Sequence, residues 1–476
     1  MIFSQNDIKQ ITNHGISVQD AEQQITNFIH GFPFTKISHP ATIANGGIQE
    51  INYEARKKYT DIYNDYIKSH TVVKFVPASG AATRMFRDLF TFLETGELND
   101  TANHVCKNVS MFAFYDKLDL KPNANATDIA RAIVNKYGNM PKGLIPFHKY
   151  TTEHNGFDIV RTPIAEHLVE GAKYATSRDK LVNMHFTVSP EHRADFQKEL
   201  DNIVPTYAQQ FDVKYNITIS VQDPSTDTIA VNPDNTPFRT NDGKLLFRPA
   251  GHGALIKNLD EIDADIIFIK NIDNVCTEVM APDTTEYKKA LAGMLISVQT
   301  QIFEYLNALD AGTPEINKIA NFIKTVFGID VAPNPIECRK ILNRPLRVCG
   351  MVKNTGAAGG GPFWVQNTGL QIVESSQIAP DARDIMNTST HFNPVDLVCG
   401  THDYMGNKFN LMNFIDENTG FISDKSYAGK PIRAMERPGL WNGAMAKWNS
   451  IFVNVPAKTF NPVKTVADLL EPAHND

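Results

Sequence analysis

The apolar run Val72-Val73-Lys74-Phe75-Val76 stops at Pro77, and the tiny residues Ala78-Ser79-Gly80-Ala81-Ala82 follow it before Thr83 and Arg84. A strand, a small-residue loop and a helix start place backbone N–H groups around an anion, and tiny side chains let phosphate oxygens reach that backbone. Arg84 would add a planar fork of donors with a permanent charge. A tight strand-to-helix turn with an exposed arginine fits the same residues. The spacing G-x-x-x-x-G-K-[ST] is absent, so this is not an ordinary P-loop. Lys142 stands between Pro141 and Gly143. That confinement suits a point charge aimed at an anion, though a surface lysine in a turn would look alike. Asp273 follows the apolar segment Ile266-Ile267-Phe268-Ile269 and so lies near the carboxyl end of a buried strand. Ligands gather there in open α/β sheets, while Asn271-Ile272-Asp273-Asn274 is also ordinary turn chemistry.

Other residues are less specific. The glycine-rich stretch Asn354 to Gly361, with Arg339, Lys340, Arg344, Arg347 and Lys353 around it, reads as a second anion loop or as a surface loop with solvated charges. His185 and His192 flank a strand without metal-ligand spacing and are read as structural. Trp364, Trp441 and Trp448 are read as core residues. Asp263-Ala264-Asp265 has a metal-binding spacing but precedes its apolar strand instead of following it.

These residues need a large scaffold. The chain has 476 residues, 42 % of them apolar and 21 % charged, which is enough for a sizeable core and for two or three domains. The net charge of −7 argues against a nucleic-acid partner. The five scattered cysteines include no C-x-x-C pair and are expected to be reduced thiols in the cytoplasm. No signal peptide and no apolar run long enough to span a membrane is evident. Ser17-Val18-Gln19-Asp20 predicts a capped helix to about Ile29, and Thr162-Pro163 predicts another to about Ala175. Strands are predicted at 72–76, 183–188, 217–221 and 265–269, and a long helix at 284–309. This alternation predicts an α/β fold with a largely parallel sheet. Short strand candidates lie at 346–352, 363–365, 397–398 and 451–455. The expected division is an N-terminal helical segment (1–70), a core (71–335) with an insertion at about 96–140, and a C-terminal α+β region (336–476).

The loop at 78–84 resembles the Gly-Gly-x-Gly-Thr-Arg-Met loop of nucleotide-sugar pyrophosphorylases. Five further segments are similar to that superfamily in the same order, and most like its UTP-dependent branch. They are Met140-Pro141-Lys142-Gly143, Val221-Gln222-Asp223-Pro224, Arg248-Pro249-Ala250-Gly251-His252-Gly253, Lys270-Asn271-Ile272-Asp273-Asn274 and Phe460-Asn461-Pro462-Val463-Lys464, the last continuing to Asp468-Leu469-Leu470. The stretch Gly439-Leu440-Trp441-Asn442-Gly443-Ala444 is similar to the small-residue segment that precedes that last motif. The resemblance spans about residues 71–470, leaves 335–435 unaligned, and extends to bacterial proteins with the same combination. It departs from the pattern where Ala78-Ser79-Gly80 replaces a double glycine and Ala254 replaces an acidic residue. The spacing from the loop to Lys142 is also longer than usual, and no β-helical domain follows Lys464.

The resemblance implies a Rossmann-like three-layer nucleotidyltransferase (GT-A type) fold with a mixed, mostly parallel sheet. It implies that UTP and a sugar 1-phosphate give a UDP-sugar and pyrophosphate with Mg²⁺. Arg84, Lys142 and Lys464 would be the catalytic cations and Asp273 the metal ligand. Ala78, Ser79, Gly80, Ala81, Thr83, Gln222, Gly251 and His252 would bind the nucleotide, with Gln222 on the uracil edge, where an amide offers both a donor and an acceptor. Asn274, Asn442 and Gly443 would touch the sugar phosphate. The alternatives are a non-catalytic uridine-nucleotide-binding regulator and a glycosyltransferase using a UDP-sugar. Neither the sugar nor the oligomeric state is legible.

Overall fold

The computed structural model describes residues 2–80, 82–150, 159–354, 356, 360–366 and 368–475. Ala81 and part of the glycine-rich stretch at 354–361 therefore lie outside the described residues. By contact the chain forms two compact units, each assembled from three separate stretches. The first comprises Met1–Tyr53, Gln222–Asp265 and Met294–Asn454, and the second Glu54–Val221, Ile266–Gly293 and Val455–Asp476.

The second unit is built on four parallel strands, Ile266–Lys270, Val72–Pro77, Leu181–Val188 and Lys214–Val221, lying side by side in that order. Val72–Pro77 and Ile266–Lys270 are buried at every position, as a sheet covered on both faces demands. From Val72–Pro77 the chain moves outward through Leu181–Val188 to Lys214–Val221, then returns to lay Ile266–Lys270 on the opposite side. The order therefore reverses between Val72–Pro77 and Ile266–Lys270, and a crevice opens beyond the carboxyl ends of strands at such a switch point.

Helices pack against this sheet for reasons legible in the chain. Thr162 accepts a hydrogen bond from the Ala165 N–H, Pro163 takes the first helical position, and Pro163–Tyr174 follows. Its apolar side joins Val76, Met184, Phe186 and the Phe196 face of the helix Arg193–Phe211. The segment expected as an insertion folds into the helices Asp100–Lys107 and Ala126–Tyr137. These share a core with Arg87–Thr95 and with Val463, Val466 and Leu469 from the last stretch of the unit.

The first unit is mixed. Its strand Leu346–Lys353 pairs in parallel with Asn449–Asn454 and antiparallel with Asp396–Gly400. Gly361–Val365 lies between Ile37–Pro40 and Gly369–Val373, antiparallel to both, and Phe421–Tyr427 pairs with Lys430–Glu436 as a hairpin. The parallel character thus concentrates in the second unit. The N-terminal helices Gln5–Asn13 and Val18–His30, the latter capped by Ser17, cover Ile229, Val231, Leu245 and Met435. Ile37–Pro40 was not legible, because its burial reads inward only at its two ends. Among the described residues, no helix is long and apolar enough to cross a membrane.

Candidate functional site

In the second unit the small-residue loop leaves Pro77 at the carboxyl edge of the sheet. Ala78 donates to the Thr187 carbonyl, Ser189 Oγ donates to the Ser79 carbonyl at 2.6 Å, and Ala82 donates to the Met140 carbonyl at 2.9 Å. The N–H groups of Ser79, Gly80 and Thr83 find no acceptor among the described residues, which leaves them free for an anion. A single turn, Ala82–Arg84, leads into Arg87–Thr95. The Arg84 side chain is exposed and has no ion-pair or hydrogen-bond partner among the described residues.

The Ala82–Met140 bond sets the loop beside Pro141-Lys142. Lys142 Nζ lies 2.8 Å from Asp273 Oδ2 and 2.7 Å from the Val463 carbonyl. Lys464 Nζ lies 3.7 Å from the same Asp273 oxygen. Val463 N–H donates to the Asp273 carbonyl, Asn461 N–H to Asn274 Oδ1, and Val466 N–H to the Met85 carbonyl. Two lysines far apart in the chain therefore share one carboxylate at the switch point. Asp273 is 8 % exposed, whereas the Lys464 side chain is 59 % exposed. Burial alone would raise the Asp273 pKa, but Lys142 and Lys464 outweigh it and hold the carboxyl below its ordinary range. Asn274 is buried, with Oδ1 spent on Asn461, so its part here is to brace the Lys464 segment.

Beneath this edge lies a group that the sequence reading passed over. Glu170 accepts from Lys74 at 2.9 Å and from Lys270 at 2.6 Å, all three buried. His167 Nε2 lies 3.2 Å from the Ile272 carbonyl, next to Asp273. Burial, together with the Lys270 and Lys288 charges, outweighs Glu170 and pushes Lys74 down to about 7. The signal was present: a lysine within each of two apolar strand runs, which calls for a buried counter-charge.

The remaining expected residues belong to the first unit. The Gln222 Nε2 atom is buried and finds no acceptor among the described residues. Gly251 has φ +74°, and a Cβ there would stand 2.4 Å from Glu436 Oε2, so the backbone itself requires glycine. His252 stacks on Trp441, with ring centroids 4.2 Å apart and planes 13° from parallel. Leu440 N–H donates to His252 Nδ1 at 3.0 Å, so the neutral ring carries its proton on Nε2, which faces Glu374 Oε1 at 3.4 Å. Asn442 Nδ2 donates to the same Glu374 oxygen at 2.6 Å, and Asn442 Oδ1, also buried, has no donor among the described residues. Burial would raise the Glu374 pKa, but His252 and Asn442 bring it below its ordinary value. Gly443 packs directly against Thr419. Trp441 is thus a stacking partner and not only a core residue. Glu374 was missed because it falls in the stretch that could not be aligned. Asp263, from the Asp-Ala-Asp spacing, is paired with His402 Nε2 at 3.0 Å.

The family model described as "Domain of unknown function (DUF4301)" matches residues 4–475. The chain belongs to the DUF4301 family. No curated protein matches it. Among solved structures, this DUF4301 chain is similar to the uridine diphosphate N-acetylglucosamine pyrophosphorylase of Trypanosoma brucei, solved with an inhibitor. The identity is 12 %, the TM-score 0.53, and the match covers 98 % of this chain and 79 % of that one. A second structure, from Entamoeba histolytica and assigned as a UDP-N-acetylglucosamine pyrophosphorylase, matches at 10 % identity and TM-score 0.46, covering 90 % and 85 %. The likeness to the Trypanosoma brucei structure is one of fold.

Proposed function

We propose that this chain is a nucleotidyltransferase that joins UTP and a sugar 1-phosphate into a UDP-sugar and releases pyrophosphate. The observation that carries the reading is the convergence of Lys142 and Lys464 on the buried Asp273 carboxylate at the switch point. The fold likeness and the six motif segments support it. A sugar-phosphate oxygen attacks the α-phosphorus, the new O–P bond forms in line, and the bond to the bridging oxygen breaks so that pyrophosphate leaves. No covalent intermediate is needed, and catalysis consists of positioning and charge neutralisation. Two unit negative charges 4 Å apart repel by about 4 kcal/mol at an effective dielectric of 20. Arg84, Lys142 and Lys464 would offset that repulsion, and the free N–H groups of Ser79, Gly80 and Thr83 would cradle phosphate oxygens. The resemblance assigns Gln222 to the base, His252 to the nucleotide and Asn442 to the sugar phosphate.

Among the described residues, no three His, Cys, Asp or Glu side chains form a metal cluster. Asp273 is a lone carboxylate already shared by two ammonium groups. That donor set fits Mg²⁺ arriving on nucleotide phosphates and keeping water ligands, with Asp273 as its protein contact. When bound, the ion would supply charge neutralisation at the phosphates. The five cysteines are buried and free, which accords with a reducing, cytoplasmic setting.

The test is pyrophosphate release across a panel of nucleoside triphosphates and sugar 1-phosphates, with and without Mg²⁺. Release with UTP and one sugar phosphate is expected. No release with any pair would refute the reading, and UTP binding without release would make the chain a nucleotide-binding module.

A further inference from the structure

Away from the lysine–aspartate site, the second unit buries a second polar cluster. His148 Nδ1 lies 2.9 Å from Glu166 Oε1, and His148 Nε2 lies 2.9 Å from His474 Nδ1. Tyr150 Oη donates to the same Glu166 oxygen at 2.7 Å. Arg161 stands 3.6 Å from Glu166 and 3.5 Å from Glu278, and Lys173 reaches Glu278 at 3.4 Å. His148 and Arg161 are fully buried and His474 is 4 % exposed. Nothing in the proposed reaction uses these groups, yet burying them is costly unless they are paired.

Their chain positions suggest the use. His148 sits on the strand His148–Tyr150, which follows the turn carrying Lys142. Glu278 ends the loop that carries Asp273, and Thr277 N–H donates to the Ala473 carbonyl at 3.0 Å. His474 ends the stretch that carries Lys464. That stretch is tied to the Asp273 loop at 461–463, through the Asn274–Pro462 bridge, and again at 473. The cluster thus joins the three stretches that each contribute one member of the Lys142–Asp273–Lys464 constellation.

We propose that the Glu166–His148–His474 hub positions Lys142, Asp273 and Lys464 for phosphate chemistry. Glu166 Oε1 accepts a hydrogen bond from His148 Nδ1–H, which leaves Nε2 as the acceptor for His474 Nδ1–H, so the chain of bonds has one direction. His148, Glu166 and His474 touch no substrate in this scheme and act only through the three stretches they join. This deepens the proposed reaction and rests on it for its catalytic consequence, but its structural content can be measured separately.

The test compares His474→Leu, which keeps bulk and removes the bond, with His474→Asn, whose Nδ2 restores the donor. Each full-length protein is treated with limiting acetic anhydride, and acylation of each lysine is followed by mass spectrometry. Lys142, whose side chain is 13 % exposed behind Asp273, is expected to react about tenfold faster in His474→Leu, the change that one lost hydrogen bond allows. It should react at the parent rate in His474→Asn, while the fully buried Lys74 and Lys288 stay protected in both. Pyrophosphate release should fall about a hundredfold in His474→Leu and recover in His474→Asn. An unchanged Lys142 rate in His474→Leu would overturn the proposal. So would simultaneous exposure of Lys74, which would make the hub plain core packing. If the parent protein releases no pyrophosphate with any substrate pair, the reaction is refuted while the acylation comparison still decides the hub.

Discussion

Replacing Lys142 with methionine separates what the Lys142–Asp273–Lys464 constellation does for the fold from what it does for chemistry. Opposite unit charges 2.8 Å apart attract by about 6 kcal/mol at an effective dielectric of 20. Most of that is spent on taking both groups out of water. Breaking a buried pair by removing one partner costs about 3–5 kcal/mol when the surviving charge is stranded. Asp273 would not be fully stranded, because Lys464 stays 3.7 Å from the same oxygen. The expected loss for Lys142→Met is therefore about 2–3 kcal/mol, below the fully stranded case. Lys464→Met should cost less than about 1 kcal/mol, because its ammonium is mostly in solvent and its attraction is screened. Turnover is expected to fall in both variants by several orders of magnitude, since both cations face the phosphates in the proposed reaction. Urea unfolding gives the first pair of numbers and pyrophosphate release the second. Equal stability losses would show that the two lysines are not differently buried, and near-parent turnover in both would refute their chemical roles.

Acid should loosen the histidine hub. Burial, and behind it His148, hold the His474 pKa at about 3, so the unfolded chain takes up this proton first, and stability from this ring is lost as pH falls from about 6.5 toward 3, at up to about 1.4 kcal/mol per pH unit. The groups facing it through the hub are His148, Glu166, Tyr150, Arg161 and Glu278. Urea midpoints at pH 7.5, 6 and 5 should drop more steeply for the parent than for His474→Asn, and parallel slopes would contradict this. Gly251→Ala should cost about 1–2 kcal/mol through the left-handed backbone alone. The Glu436 carboxylate can swing aside, so adding Glu436→Ala should not restore Tm, and restoration would make the contact the cause. Gln222→Leu should weaken UTP binding about tenfold in calorimetry and leave ATP unchanged, as expected for one lost base contact; an equal loss for both nucleotides would remove Gln222 from base recognition.

What the chain revealed in advance divides along a physical line. Strand and helix positions followed from local chemistry: the apolar run at 266–269, the run at 72–76 that only Lys74 interrupts, the Thr162-Pro163 cap, and the long helix expected at 284–309, which forms as Ala281–Asp310. Lys142, Asp273 and Lys464 were named together through the motif resemblance, and the structure brings both lysines to the Asp273 carboxylate, with Lys142 also bonded to the Val463 carbonyl. Glu374, His148 and His474 gave no such sign. Their significance comes from partners far away in the chain, and no local pattern records that a histidine at 474 will share a hydrogen bond with one at 148.

A lysine inside a buried strand implies a partner elsewhere in the chain. Lys74 and Lys270 interrupt strand cores where a branched apolar side chain would pack without cost, and paired strands place them near one another, Lys74 opposite Phe268. Holding two ammonium groups in a dry sheet requires at least one buried carboxylate, and the helix over that face supplies Glu170. The same helix presents His167 to the Ile272 carbonyl and Glu166 to His148. One face of Pro163–Tyr174 thus touches both the turn that carries Asp273 and the hub that joins the three charged stretches. A carboxylate-to-amide change on that helix should therefore disturb the site through the backbone of 271–278.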